Sequence, residues 1–81
     1  MLNKKIKVLI AEDEPVILRS IKRGIESFSG DFEVAAVAYD GNEALELMEE
    51  DHYDIVITDI VMPLMGGLEM ISEARRRGKL L

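Results

Sequence analysis

Several residue types on which protein sites often depend are absent or scarce in this chain. The 81-residue sequence contains no cysteine and a single histidine, His52. Without cysteine, the chain has neither a disulfide framework nor a thiolate zinc site, which fits a cytoplasmic protein. His52 lies in a polar turn without other residues at metal-ligand spacing, so we interpret it as a surface histidine.

Long apolar runs and positive charge are also scarce. No apolar run approaches the roughly 20 residues that span a bilayer, and the first residues lack a small-residue cleavage site, so we predict no membrane association and no signal peptide. Ten Lys and Arg against 16 Asp and Glu give a net charge of −6. That charge argues against direct nucleic-acid binding by this segment and suits a cation or a basic partner.

Helix-like and strand-like segments alternate along the chain. Short β-branched runs indicate buried strands, and apolar residues at spacings of three and four indicate amphipathic helices. The order βαβαβα with short connections predicts an α/β fold with a parallel sheet and right-handed crossovers. The predicted strands are Lys5–Ala11, Phe32–Ala38 and Ile55–Ile57; the predicted helices are Pro15–Ser27, Asp40–Asp51 and Leu68–Arg77.

The helices show local signals of their ends and of their buried faces. Asp40 and Glu43 have the spacing of a capping box, and Gly78 follows the third helix as a C-cap. Lys79 to Leu81 resembles the start of another strand. The residues expected to face the sheet are Ile17, Ile21, Ile25 and Phe28 in the first helix, and Leu68, Met70, Ile71 and Ala74 in the third.

The first and third strands both end in acidic residues. Glu12 and Asp13 follow the first strand, and Asp59 follows the third. In a doubly wound sheet these strands are neighbours if the second strand lies on the outer side of the first. Their three carboxylates then meet in one crevice, where they repel one another. A hard divalent cation with oxygen ligands relieves that repulsion, and Mg²⁺ uses few protein carboxylates. The constellation therefore predicts a Mg²⁺ site beside a carboxylate that can attack a phosphoryl group.

Each of these residues also has a purely structural interpretation. Asp59 alone is typical of a turn that ends a strand, and Asp13 is suited to cap the first helix. Glu14 is expected to be solvent-exposed. Met62 and Met65 favour packing within a loop over a soft interaction surface.

Three motifs, Val8–Pro15, Asp40–Leu45 and Asp54–Gly67, carry a resemblance to a known family. Together they resemble the receiver domain of two-component response regulators, and the resemblance covers the whole chain. It implies a flavodoxin-like doubly wound parallel sheet with strand order 2-1-3, of which residues 1–81 form the first three of five βα units. It also implies a signalling role rather than an enzyme.

The resemblance implies specific roles for individual residues. Asp59 would accept a phosphoryl group from a sensor histidine kinase or a small acyl phosphate. Asp13 would bind Mg²⁺ directly, Glu12 would assist through water, and the backbone carbonyl of Val61 would be a further ligand. Pro63 and Gly67 would shape the loop after Asp59.

The chain departs from the family pattern in three ways. Glu12 replaces the more common aspartate, and Gly66 replaces an acidic residue often found there. The family's Ser or Thr after strand four and Lys after strand five have no counterpart, and Lys79 lies at the wrong place in the order. An alternative is therefore a switch-incompetent interaction module.

With or without a competent switch, a chain of three βα units is expected to form a homo-oligomer. With strand order 2-1-3, the apolar run from Ile55 to Ile57 lies at an open edge, which can pair with a second copy or exchange elements with it. Two enzyme classes are excluded. A haloacid-dehalogenase-type phosphatase needs a second Asp where Val61 stands, and a dinucleotide-binding fold needs glycines where Glu12–Glu14 stands.

Overall fold

A three-stranded parallel sheet organises the chain in the computed structural model, which describes residues 4–80. The strands are β1 (Ile6–Ala11), β2 (Phe32–Ala38) and β3 (Ile55–Thr58), and their order is β2-β1-β3. The predicted α/β class and strand order are confirmed. Because Ala11 lies opposite Thr58 in the register, β1 and β3 end at the same level.

Three helices connect and follow the strands. They are α1 (Pro15–Phe28), α2 (Gly41–Glu50) and α3 (Gly67–Arg76). Gly78 has a φ of 76° directly after the end of α3, where glycine adopts the left-handed conformation without steric cost. Within residues 4–80, none of the helices has the length and apolar character to cross a membrane.

The two faces of the sheet are covered unequally. One face packs against α2 and α3, where Leu9 of β1 lies with Met48 and Met70 in a continuous core. The other face packs against α1 alone, with Val8 and Ile10 of β1 as its buried strand residues. Alternate residues of β1 therefore serve opposite cores, as the pleat of a strand requires.

The predicted inner faces of two helices need correction. Leu18 is the buried residue of α1 and is only 6% exposed, whereas Ile17 and Phe28 are 48% and 81% exposed. In α3, Leu68 is 67% exposed, although Met70 is fully buried. Which side of an apolar stripe is covered depends on the elements that pack against the helix, and the spacing of apolar residues does not reveal those contacts.

The free edge of β3 remains unpaired among residues 4–80. No described strand lies beyond β3, and Ile55 at its start is 38% exposed. The expected strand start at the chain's end is wrong for Lys79 and Leu80, which form no strand, and Leu81 lies outside the described residues.

Candidate functional site

The ends of β1 and β3 bring the predicted acidic residues together. Each of Glu12, Asp13 and Asp59 offers a carboxylate oxygen within 4.8 Å of those of the other two. We call these three residues the acidic cluster. The parallel register of β1 and β3 produces this convergence, because each strand passes directly into its acidic residue.

Glu12 is the buried member of the acidic cluster. It is 5% exposed, and its backbone N–H donates to the carbonyl of Ala38 at 2.9 Å. Its Oε2 accepts a hydrogen bond from the backbone N–H of Glu14 at 3.0 Å. The longer glutamate side chain is thus oriented by the turn that starts α1.

Asp59 is anchored through its backbone and open through its side chain. Its N–H donates to the carbonyl of Ala11 at 3.0 Å, which extends the pairing of β3 with β1 by one residue. Its Oδ1 accepts from the N–H of Ile60 at 2.8 Å. Asp59 and Asp13 are both exposed, so a reactant can approach them from solvent.

The loop between Asp59 and α3 is held by backbone hydrogen bonds. The N–H of Gly67 donates to the carbonyl of Ile60 at 2.8 Å, and a Cβ on Gly67 would collide with the carbonyl of Asp59. This close approach requires glycine. Met62 is buried and packs against the core, so its expected role in loop packing is confirmed. Val61 is 79% exposed.

The acidic cluster suits a hard divalent cation. All of its donors are carboxylate oxygens, the ligand type that Mg²⁺ prefers, and two of the three side chains reach solvent. The ion pairs found among residues 4–80 include none of the three carboxylates. A cation would therefore supply positive charge that the described protein side chains do not.

Two acidic residues near the other ends of the strands, where β1 and β3 begin, accept hydrogen bonds from Lys7. Lys7 Nζ contacts Asp51 Oδ2 at 2.6 Å, and this hydrogen bond lowers the pKa of Asp51. Asp54 Oδ2 accepts from the backbone N–H of Lys7 at 2.8 Å, which lowers the pKa of Asp54. His52 is exposed as expected, and its Nε2 lies 3.2 Å from Asp54 Oδ1.

The sequence interpretation missed the residue that caps α1. Asp13 was expected as a candidate cap, but the N-cap is Glu14, whose Oε1 accepts from the N–H of Val16 at 3.3 Å. The signal was Pro15, because proline is frequent at the first helical position and the N-cap precedes it. Because Glu14 caps the helix, the side chain of Asp13 is available to the acidic cluster.

Comparison with known proteins adds independent findings. A family model described as the response regulator receiver domain matches residues 8–81. The transcriptional regulatory protein MalR of Bacillus subtilis is 35% identical over 74 residues, which are 91% of this chain and 31% of MalR.

Solved structures agree with the family match. The signal receiver domain of NarL from Mycobacterium tuberculosis has a TM-score of 0.87 at 30% identity, covering 94% of this chain and 60% of that chain. The response regulator TrrA from Thermotoga maritima, solved in complex with Mg(2+)-BeF, has a TM-score of 0.80 at 35% identity, covering 90% of this chain and 61% of that chain. The chain thus spans about three fifths of these solved chains and a third of MalR.

Proposed function

Since the chain belongs to the response regulator receiver domain family, we propose that it receives a phosphoryl group on Asp59 in two-component signalling. The observation that carries the proposal is the convergence of Glu12 and Asp13 with Asp59 at the ends of β1 and β3. Residues 1–81 then correspond to the first three βα units of a receiver domain.

The proposed reaction is a transfer to a carboxylate. An Asp59 oxygen attacks phosphorus in line with the leaving group, the bond from phosphorus to a kinase histidine nitrogen or an acyl oxygen breaks, and an aspartyl phosphate forms. A displaced histidine nitrogen takes up a proton from solvent, whereas an acyl leaving group departs as a carboxylate. Asp59 suits this role because its backbone is fixed to β1 while its side chain is exposed.

Mg²⁺ is the proposed cofactor. Asp13, Asp59 and the backbone carbonyl of Val61 would hold the ion, with Glu12 assisting through water. Bound there, Mg²⁺ neutralises charge on phosphoryl oxygens during transfer. The hydrogen bond from the Glu14 N–H to Glu12 Oε2 leaves the other Glu12 oxygen available.

The proposed partner is a sensor histidine kinase, and the proposed setting is the cytoplasm. The description of MalR as a transcriptional regulatory protein favours a place for this chain in transcription regulation. The segment itself would not contact nucleic acid or membrane, because its net charge is −6. Its role is that of a signalling module rather than an enzyme.

The proposal is tested by intact mass measurement after incubation with acetyl phosphate and Mg²⁺. We expect a phosphate adduct on the wild-type chain, and none on Asp59→Asn or without Mg²⁺. Asp54→Asn is the matched control, because it removes a carboxylate at the other edge of the sheet and should keep the adduct. An adduct that persists in Asp59→Asn would contradict the assignment.

A second candidate function, a homo-oligomeric interaction module, is favoured by one apolar surface. A groove of about 260 Å³ lies between α1 and the sheet beside the free edge of β3. It continues onto Phe28, which is 81% exposed. A second copy could cover this groove or pair with β3. The residues lining the groove are Val8, Gly24, Ile25, Phe28, Phe32, Ile55 and Ile57.

Light scattering combined with the phosphorylation assay separates the two candidates. A dimer that takes no phosphoryl group and is dissociated by Ile55→Lys would favour the interaction module, because a charge on the edge opposes strand pairing. A monomer that takes the phosphoryl group on Asp59 would eliminate it. Glu33→Lys, an exposed change on β2, serves as the charge control.

A further inference from the structure

The turn that begins α2 touches the loop that follows Asp59, and this contact has no role in the function proposed so far. The N–H of Gly41, the first residue of α2, donates to the carbonyl of Met65 at 2.9 Å. Met65 lies in the loop from Asp59 to α3, which carries Val61. The contact thus joins α2 to the loop that contains two of the proposed metal ligands.

We propose that Gly41 is a positioning residue, which sets the geometry of Asp59 and Val61 by holding Met65. Its consequence for phosphoryl transfer rests on the proposed function. The claim that Gly41 sets the position of the loop does not rest on the proposed function, because that position can be measured without Mg²⁺ or phosphate.

The α2 end of this contact is fixed by two side-chain hydrogen bonds that resemble a capping box, although Glu43 accepts from the residue before the N-cap. Asp40 Oδ1 accepts from the N–H of Glu43 at 2.8 Å, and Glu43 Oε1 accepts from the N–H of Tyr39 at 2.6 Å. The helix behind this turn is buried through Ala44 and Leu45. Gly41 is therefore part of a rigid support rather than of a mobile turn.

Glycine is required at the contact. A Cβ on Gly41 would lie 2.7 Å from the carbonyl oxygen of Met65 and 2.8 Å from its Cγ. The first of these atoms belongs to the backbone, so the clash cannot be relieved by a side-chain rotation alone. Any other residue at this position would push the loop away from α2.

The loop transmits the position of Met65 toward the acidic cluster. The N–H of Met65 donates to the carbonyl of Pro63 at 2.7 Å, across Leu64, which has a φ of 67°. A leucine in this left-handed region persists only when its surroundings hold it there. This tight turn begins at Pro63, two residues after Val61, so we expect a displaced Met65 to displace Val61 as well.

The test compares two glycine substitutions. Gly41→Ala should weaken Mg²⁺ binding by about 10-fold or more, the range found when groups that orient metal ligands are removed. Gly24→Ala is the matched control, because a Cβ there has no atom within 4 Å. Its Mg²⁺ dissociation constant should equal that of the wild type. Amide resonances of Asp59 and Val61 should shift in Gly41→Ala and should not shift in Gly24→Ala.

Two further variants separate positioning from loss of stability. Leu18→Ala removes a buried side chain from α1 and should lower the urea midpoint while leaving the Mg²⁺ dissociation constant unchanged in the folded protein. Asp40→Ala loosens the support without adding an atom and should weaken Mg²⁺ binding less than Gly41→Ala. It supplies the answer if Gly41→Ala does not fold.

The outcomes are decisive in each case. Unchanged Mg²⁺ affinity in both Gly41→Ala and Asp40→Ala, or an equal loss in Leu18→Ala, would overturn the proposal. If the wild-type chain binds no Mg²⁺ and takes no phosphoryl group, the proposed function fails, and the amide resonances alone decide the positioning role. Unshifted resonances of Asp59 and Val61 would then overturn it, and shifted ones would support it.

Discussion

Carboxylates cluster both where the strands begin and where they end, but among residues 4–80 only those at the beginnings of the strands lie against a basic side chain. Where the strands begin, Asp51 contacts Lys7 at 2.6 Å, and Asp54 Oδ1 lies 3.2 Å from His52 Nε2. At the edge where the strands end, Glu12, Asp13 and Asp59 meet within 4.8 Å. None of these three enters an ion pair found in the described part of the chain.

Carboxylates therefore have two opposite effects in this fold: some stabilise it, and others destabilise it at a site suited to a ligand. Carboxylates that lie against basic side chains stabilise the folded chain, because folding brings them close to positive charge. Unpaired carboxylates in one crevice lower its stability by mutual repulsion, which proteins tolerate at sites that bind a ligand. The comparison therefore predicts different responses to metal, to neutralisation and to pH at the two edges.

Magnesium should produce the largest effect. A ligand that binds only the folded state, present at a concentration 100 times its dissociation constant, raises the free energy of unfolding by about 2.7 kcal/mol. We expect this gain in urea unfolding of the wild type and of Asp54→Asn. Asp13→Ala should show little or none of it. An equal gain in Asp13→Ala would mean that Mg²⁺ binds elsewhere.

Neutralising one aspartate at each edge should change stability in opposite directions. Asp54→Asn should lower the melting temperature by roughly 3–5 °C, because a charge-assisted hydrogen bond to Lys7 becomes a neutral one. Asp59→Asn should raise it by roughly 1–3 °C in metal-free buffer, because removing the repulsion from Glu12 and Asp13 outweighs the weakening of the hydrogen bond from the Ile60 N–H. Calorimetry with EDTA measures both. A lower melting temperature in both variants would contradict the proposed difference between the two groups of carboxylates.

Acid should remove the stability supplied by the paired carboxylates. Hydrogen bonds from Lys7 lower the pKa values of Asp51 and Asp54, and those from Arg76 and Arg77 lower the pKa of Glu73 to about 2. Groups with a lowered pKa stabilise the fold above their unfolded value, about 4, and lose that contribution as the pH falls through the folded value.

Urea midpoints between about pH 5 and pH 2 test this dependence. They should fall with pH in the wild type and fall less steeply in Asp54→Asn, which has one fewer carboxylate to protonate. Identical slopes in the two proteins would show that the contact of Asp54 with Lys7 contributes nothing measurable.

The smallest effect should come from the one stabilising carboxylate beside the acidic cluster. Glu14→Ala removes the side-chain cap of α1 and should lower the free energy of unfolding by about 0.5 kcal/mol. Glu14→Ser should retain the cap and the wild-type stability. Chemical denaturation of the three proteins provides the measurement. Increased stability in Glu14→Ala would place Glu14 among the repelling carboxylates.

Much of the site followed from sequence because strand ends are local signals. Glu12 and Asp59 each come directly after a strand, and a parallel sheet aligns such ends. The capping box of Asp40 and Glu43 was predicted for the same reason, since its partners lie three residues apart. The contact of Gly41 with Met65 was not, because it joins residues that are distant in the chain.

By itself, the sequence determined the order of strands and helices and the parallel sheet, which depend on local spacing, while its family motifs implied the strand order that brings the acidic cluster together. Only the tertiary structure decided which side chains are covered. Leu18 is buried while Phe28 is exposed, because neighbouring elements set the tilt of a helix. Likewise, a shift of register leaves Ala35 without a partner between Val34 and Ala36 and reverses the faces of β2. Periodicity gives the spacing of apolar residues, whereas packing gives their direction.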